Sequence, residues 1–395
     1  MQALHIYAGP QAMAHLQQHG LQPQHVGVVP GAAGGPKGLI LGALDRFIFG
    51  DWLARSQHPV HLVGASIGAW RMATACLNQP IAAFERLERD YIAQHYHLQP
   101  GQKRPTADLV SEQFGQSLAR FYGGRVAEVL QHPRYKLHIL TSRGRHVLGK
   151  EHALATPLGY LGAFLSNSVY RKAMGAWLER VVFSSHNAAL PFATADYRTR
   201  QVDLSAANFM QALQASCSIP FVLRSVRGIP GAPPGAYWDG GITDYHLHLD
   251  YRAPNSNKMS KSIASQVYKT PALAMIDDKN NQNNQNYQNT QNTAPLVLYP
   301  HFQQAVVPGW FDKALSSRHK ATPFLNHVVL LAPSAEWVKT LPNGKLPDRN
   351  DFTHYGTDLS ARMQAWTTAV RASQQLADEL CAWLERPDMG RVRAL

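Results

Sequence analysis

Cysteine is scarce in this chain. Cys76, Cys217 and Cys381 stand far apart among 395 residues with no Cys-x-x-Cys pair, so neither a disulfide framework nor a cysteine-rich metal site is expected, and a reducing compartment fits. Long apolar runs are missing as well: no stretch reaches the roughly 18 uninterrupted apolar residues of a membrane span. The opening segment MQALHIYAGPQAM has no basic stretch followed by an apolar core. The expectation is a soluble cytoplasmic protein whose membrane contact, if any, is peripheral. Acidic residues are outnumbered, 26 against 38 Lys and Arg, and the resulting formal charge of +12 favours an anionic partner such as a phospholipid surface or a nucleic acid. Apolar residues make up 45% of the chain, ample for one large core or two ordinary ones.

What is present is an alternation of strands and helices. HVGVVPG from His25 and PVHLVGAS from Pro59 are short, β-branched and followed by helical patterns, as buried parallel strands are. Between them PKGLILGALDRFIFGDWL carries apolar residues at helical spacing, completing a β-α-β unit. Further on, PTADLVSEQFGQSLARFYGG predicts a helix, YKLHILTSRG a strand, LGYLGAFLSNSVYRKAMGAWLERV a helix and VVFSS a strand. The fold class expected is α/β, a mainly parallel sheet sandwiched between helices. An Asn/Gln-rich tract, DKNNQNNQNYQNTQNT, lies within 254–295 and predicts a disordered surface insertion. After it, APLVLYPHF and HVVLLAP predict strands. DLSARMQAWTTAVRASQQLADELCAWLERP then predicts one closing helix, with Leu359, Met363, Trp366, Val370, Leu376, Leu380 and Trp383 along its buried side.

Three short stretches carry chemistry. Gly64-Ala65-Ser66-Ile67-Gly68 is a G-x-S-x-G pattern between a strand and a helix, where small neighbours let the backbone turn sharply and lift a serine Oγ clear. The same position also suits a serine that caps the helix with its side chain. GAAGGPKGL, Gly31 to Leu39, sits at the neighbouring strand end, where backbone N–H groups at a helix start serve either a phosphate or the oxyanion of an attacked ester. Leu39 after Gly38 breaks the P-loop spacing and Ala33 breaks the dinucleotide fingerprint, so nucleotide binding is not expected. In AYWDGGITDY a strand-like run ends at Asp239, which is either turn chemistry or a carboxylate aimed at Ser66.

In this order AGGPKG, GASIG and DGG resemble the patatin-like phospholipase family, and ASCSIPF, Ala215 to Phe221, resembles the family's Ala-Ser-x-x-x-Pro segment. The resemblance spans roughly Val26 to Tyr245. It implies a catalytic core, expected over 1–253, on which the strands and helix of 296–395, outside the resemblance, are expected to pack. It also implies a lipid acyl hydrolase of the phospholipase A or lysophospholipase kind, with Ser66 as nucleophile and Asp239 as its base. Gly34 and Gly35 would donate to the oxyanion, while Lys37 and Gly38 would meet the substrate. Where the family usually has a third glycine this chain has Ala33. No metal or organic cofactor is implied. The partner expected is a lipid ester at an anionic membrane surface, not a nucleic acid. Two rivals stand beside this reading. One is an α/β-hydrolase triad using His301, His327 or His354; the other is a non-catalytic lipid-binding protein. His246 and His248, an alternate pair, are expected at an exposed strand edge and not in a ligand set.

Overall fold

Strands β2 (Val26–Gly31) and β3 (Val60–Ala65) run parallel with Gly31 opposite Gly64, so the chain segments that follow each strand leave the sheet side by side. The computed structural model describes residues 1–96, 102, 104–252 and 295–395; apart from Pro295, the expected insertion lies outside them. On the other side of β3 lies β4 (Tyr135–Gly144), also parallel, with Ala65 opposite Leu140. The remaining strands are β1 (Leu4–Ala8), β5 (Leu178–Ser184), β6 (Thr199–Asp203), β7 (Tyr237–Asp239), β8 (Leu296–Pro300), β9 (Val328–Pro333) and β10 (Val392–Ala394). Among the described residues they form one sheet in the order β10-β1-β9-β8-β2-β3-β4-β5-β6, with β7 paired to β4. Only the β1–β9, β4–β5 and β4–β7 pairings are antiparallel.

Helices flank this mainly parallel sheet, as the alternation of apolar strands and amphipathic segments requires. Ile67–Ala75 packs on β2 and β3, and Phe209–Cys217 packs on β4 and β7. Strands β8 and β9, which follow residue 295, lie inside the sheet, with β8 hydrogen-bonded between β2 and β9.

Three local expectations are corrected. The closing helix is two helices, Leu359–Ala372 and Gln374–Glu385, broken at Ser373. There the Ser373 hydroxyl donates to the Val370 carbonyl at 2.7 Å and competes with the helical ladder. The helix expected through Val181 ends at Val169, because Leu178–Ser184 is taken up as β5 between β4 and β6. Finally, His246 and His248 are buried, not at an exposed edge; their rings bond the carbonyls of Ala305 and Val306.

Candidate active site

Ser66 adopts φ +57° and ψ −130°, in a region that L-residues rarely enter and that costs about 1–3 kcal/mol to hold. Its glycine neighbours make that turn possible. A Cβ on Gly64 would sit 2.4 Å from Ala69 Cα, and one on Gly68 would sit 1.8 Å from the Gly31 carbonyl oxygen. The serine side chain does not cap the helix it precedes. Instead Ser66 Oγ donates to Asp239 Oδ2 at 2.7 Å, and both residues are buried, at 4% and 5% exposure.

Strand β4 brings the two residues together. Leu140 lies opposite Ala65, and the next residue, Thr141, lies opposite Asp239. The segment Ala215–Phe221 locks both ends. Ser216 Oγ accepts from the Ser66 N–H at 3.0 Å and donates to the Leu140 carbonyl at 2.7 Å, while the Ser218 carbonyl accepts from the Asp239 N–H at 2.8 Å. The second carboxylate oxygen of Asp239 accepts from the Gly241 N–H at 2.7 Å, so one oxygen is anchored and the other faces the serine. Burial raises the Asp239 pKa above the ordinary carboxylate value. The Ser66 hydrogen bond, Arg349, the Gly241 N–H and Lys313 oppose that rise.

The segment after β2 passes beside this pair. The Ala33 N–H donates to the Tyr245 carbonyl at 2.9 Å, and its methyl is accommodated because a Cβ on Gly241 would lie only 2.7 Å from it. Ala33 is therefore matched by the second glycine of Asp-Gly-Gly. Gly35 has φ +57° and opens the 3₁₀ helix Gly35–Leu41, with Pro36 in its first turn. Ser66, Asp239, Gly34 and Lys37 line one cavity of about 220 Å³. Gly38 does not: it is buried where a Cβ would meet the Ile67 side chain at 3.1 Å, which corrects its expected place against substrate. Gly35 lies one residue outside the lining.

Sequence reasoning missed the far wall. Lys313 and Arg349 line the same cavity from segments after residue 295, and neither sits in a recognisable pattern. It also missed the buried pair Arg71–Asp45, at 2.6 and 2.7 Å, which ties the helix after Ser66 to the helix Gly42–Phe47. Among the described residues no histidine lines the cavity, and the direct Ser66–Asp239 contact leaves no place for an imidazole between them. His301 is buried with its Nδ1 against the Gln303 carbonyl. Among the described residues, no group of three or more His, Cys, Asp and Glu side chains could hold a metal.

A family model, that of the patatin-like phospholipases, matches residues 32–246, more than half of the chain. The chain belongs to the patatin-like phospholipase family. No curated protein matches it. Lipid acyl hydrolysis is the activity of this family, and Gly34, Ser66, Ser216 and Asp239 all fall within its matched span. Lys313 and Arg349 fall outside that span, so this wall of the cavity is supplied by residues beyond the matched part of the chain. No helix among the described residues is long and apolar enough to cross a membrane.

Proposed function

We propose that the protein hydrolyses a carboxylic ester of a lipid through Ser66 and Asp239 by way of a covalent acyl-enzyme. The observation that carries this reading is the 2.7 Å hydrogen bond from Ser66 Oγ to a buried carboxylate, made from a strained backbone turn. As Oγ attacks the ester carbonyl, its proton passes to Asp239 Oδ2, and the N–H groups of Gly34 and Gly35 hold the oxyanion. Collapse of the tetrahedral intermediate expels the alcohol, which takes that proton, and leaves the acyl group on Ser66. Water then gives a proton to Asp239 as it attacks, and collapse of the second tetrahedral intermediate returns that proton to Ser66 Oγ as the acyl–oxygen bond breaks and the fatty acid leaves. Desolvation strengthens the carboxylate as a base, which a solvated one would not be. A fluorophosphonate tests the nucleophile. The expected result is one adduct, on the peptide containing Ser66; an unlabelled protein, or a label on another serine, overturns the assignment.

A lipid surface as the source of the substrate is supported by the helix Ala155–Val169. It carries no charged residue and, with its N-cap Leu154, turns Leu158, Leu161, Leu165 and Val169 to solvent, from 52% exposure at Leu161 to 87% at Val169. Its other face packs through Tyr160 and Phe164 on Phe311 and Phe221, sequence neighbours of the cavity-lining Trp310 and Ile219. Exposed Lys150 and Lys172 flank it, a pattern of interfacial helices at anionic bilayers. Replacing Leu158 and Leu165 together by serine is expected to lower sedimentation with phosphatidylglycerol vesicles by at least about tenfold, from the apolar area lost. Binding that persists unchanged, or wild-type binding that ignores salt, removes the surface from this reading.

A further inference from the structure

Three cations face Ser66 and Asp239 across the cavity: Lys37, Lys313 and Arg349. None is ion-paired among the described residues. Asp348, on the same wall, is bridged to Lys345 at 3.0 Å. Aromatic rings hold the ammonium groups without neutralising them: Lys313 Nζ lies 3.9 Å from the centre of the Tyr245 ring and 5.6 Å from that of Trp310, and Lys37 Nζ lies 5.6 Å from that of Phe302. Arg349 lies along the Gly34–Gly35 segment, its Nε 3.3 Å from where a Cβ of Gly35 would be. Asp239 offsets part of this charge, but three cations in a partly desolvated space outnumber it, and that excess favours a further anion. Lys313 registers that crowding. Lys313 is pushed down to about 8, by desolvation first and then by Arg349 and Lys37, and Lys37 is lowered mainly by burial.

We propose that Lys37, Lys313 and Arg349 form an anion subsite, and that the ester cleaved carries a phosphate monoester on its alcohol side. The assignment of turnover rests on the Ser66–Asp239 reading; the subsite itself does not. A phosphate monoester brings nearly two charges and three acceptor oxygens at neutral pH, which suits a guanidinium fork beside two ammonium groups. A choline headgroup would bring a quaternary ammonium against the same three cations. A cavity of about 220 Å³ holds a phosphorylated alcohol and the ester carbonyl but no long acyl chain, which then leaves past Ile219 and Trp310 toward the exposed apolar helix. Two of the three cations, Lys313 and Arg349, come from outside the span matched by the family.

The test compares 1-oleoyl-glycerol 3-phosphate with 1-oleoyl-glycerophosphocholine. The ratio of their kcat/KM values is expected to favour the anionic ester by about tenfold or more. In Lys313→Met and Arg349→Gln that ratio falls toward one, whereas Lys339→Met, a surface charge control away from both the cavity and the apolar helix, keeps it. Equal rates on both esters in wild type, or a ratio unmoved by the two substitutions, overturns the proposal. A parallel loss on both esters together with a shifted acid limb of the pH profile also overturns it, since the cations would then only keep Asp239 ionised. Should wild type cleave neither ester, the catalytic reading fails; calorimetric titration of full-length Ser66→Ala with glycerol 3-phosphate and with inorganic phosphate then decides the subsite. Saturable binding of glycerol 3-phosphate, lost in Lys313→Met, upholds it. Tighter binding of inorganic phosphate assigns a free-phosphate site and overturns the headgroup assignment, and no binding of either anion overturns the subsite.

Discussion

Replacing Ser66 by alanine, or Asp239 by asparagine, is expected to lower kcat/KM on a short-chain ester by about a thousand- to ten-thousand-fold while the protein remains folded. The two substitutions fail for different reasons. Alanine removes the attacking oxygen. Asparagine keeps the bond from the Gly241 N–H to its carbonyl oxygen but turns an amide N–H toward Ser66, so the hydroxyl becomes an acceptor and its proton has nowhere to go. Thermal melting separates lost chemistry from lost fold, and an Asp239→Asn protein that retains more than about a tenth of wild-type activity removes the carboxylate from the mechanism. The wild-type pH profile carries the same information. Because burial raises the Asp239 pKa, its acid limb is expected above the ordinary carboxylate value, with rate lost as pH falls and Asp239 takes a proton.

Much of this site is legible in the sequence because its parts are local. A strand end followed by small residues specifies the Ser66 turn, and the parallel β2–β3 pairing follows from two short β-branched runs around one helical pattern. The Ser216 segment is recognisable too, but its task is not, since only the fold shows one hydroxyl joining the Ser66 N–H to the Leu140 carbonyl. Lys313 and Arg349 are illegible for a plainer reason. Lys313 sits in the short 3₁₀ helix Trp310–Ala314 and Arg349 caps the five-residue helix Asn350–His354, elements too short to leave a period, and both follow strands β8 and β9, which insert between β1 and β2. Periodicity detects the helix around Tyr160, yet an uncharged helix with apolar residues on both faces reads as core until its neighbours are known. The break at Ser373 does leave a trace: Val370 and Leu376 are six apart, a spacing that one helical stripe does not produce.

Acid is expected to destabilise the protein through histidines that the fold keeps neutral. His138, His246, His248 and His301 are all buried, and desolvation lowers each pKa, to about 4 for His248 and about 3 for His301. His248 shows why the neutral ring is held. Its Nδ1–H donates to the Val306 carbonyl at 2.9 Å, and its Nε2 accepts from the Thr322 hydroxyl at 2.8 Å, an arrangement a second ring proton would break. Above the unfolded value of 6.5 folded and unfolded chains both hold the ring neutral, and this stability is present in full. As pH falls from 6.5 toward 4 only the unfolded chain takes the proton, and stability declines by about 1.4 kcal/mol per pH unit for each such histidine, about 3 kcal/mol for His248. Glu88, raised by burial to about 7, works in the opposite sense over part of that range, so the wild-type curve sums contributions of both signs. Subtraction isolates one group. Denaturant unfolding of wild type and His248→Gln between pH 7 and pH 4 is expected to give slopes that differ by about 1.4 kcal/mol per pH unit, with the variant flatter. Parallel slopes would mean that His248 takes its proton in the folded protein as readily as in the unfolded chain. In that case the ring's two hydrogen bonds would have to rearrange without loss.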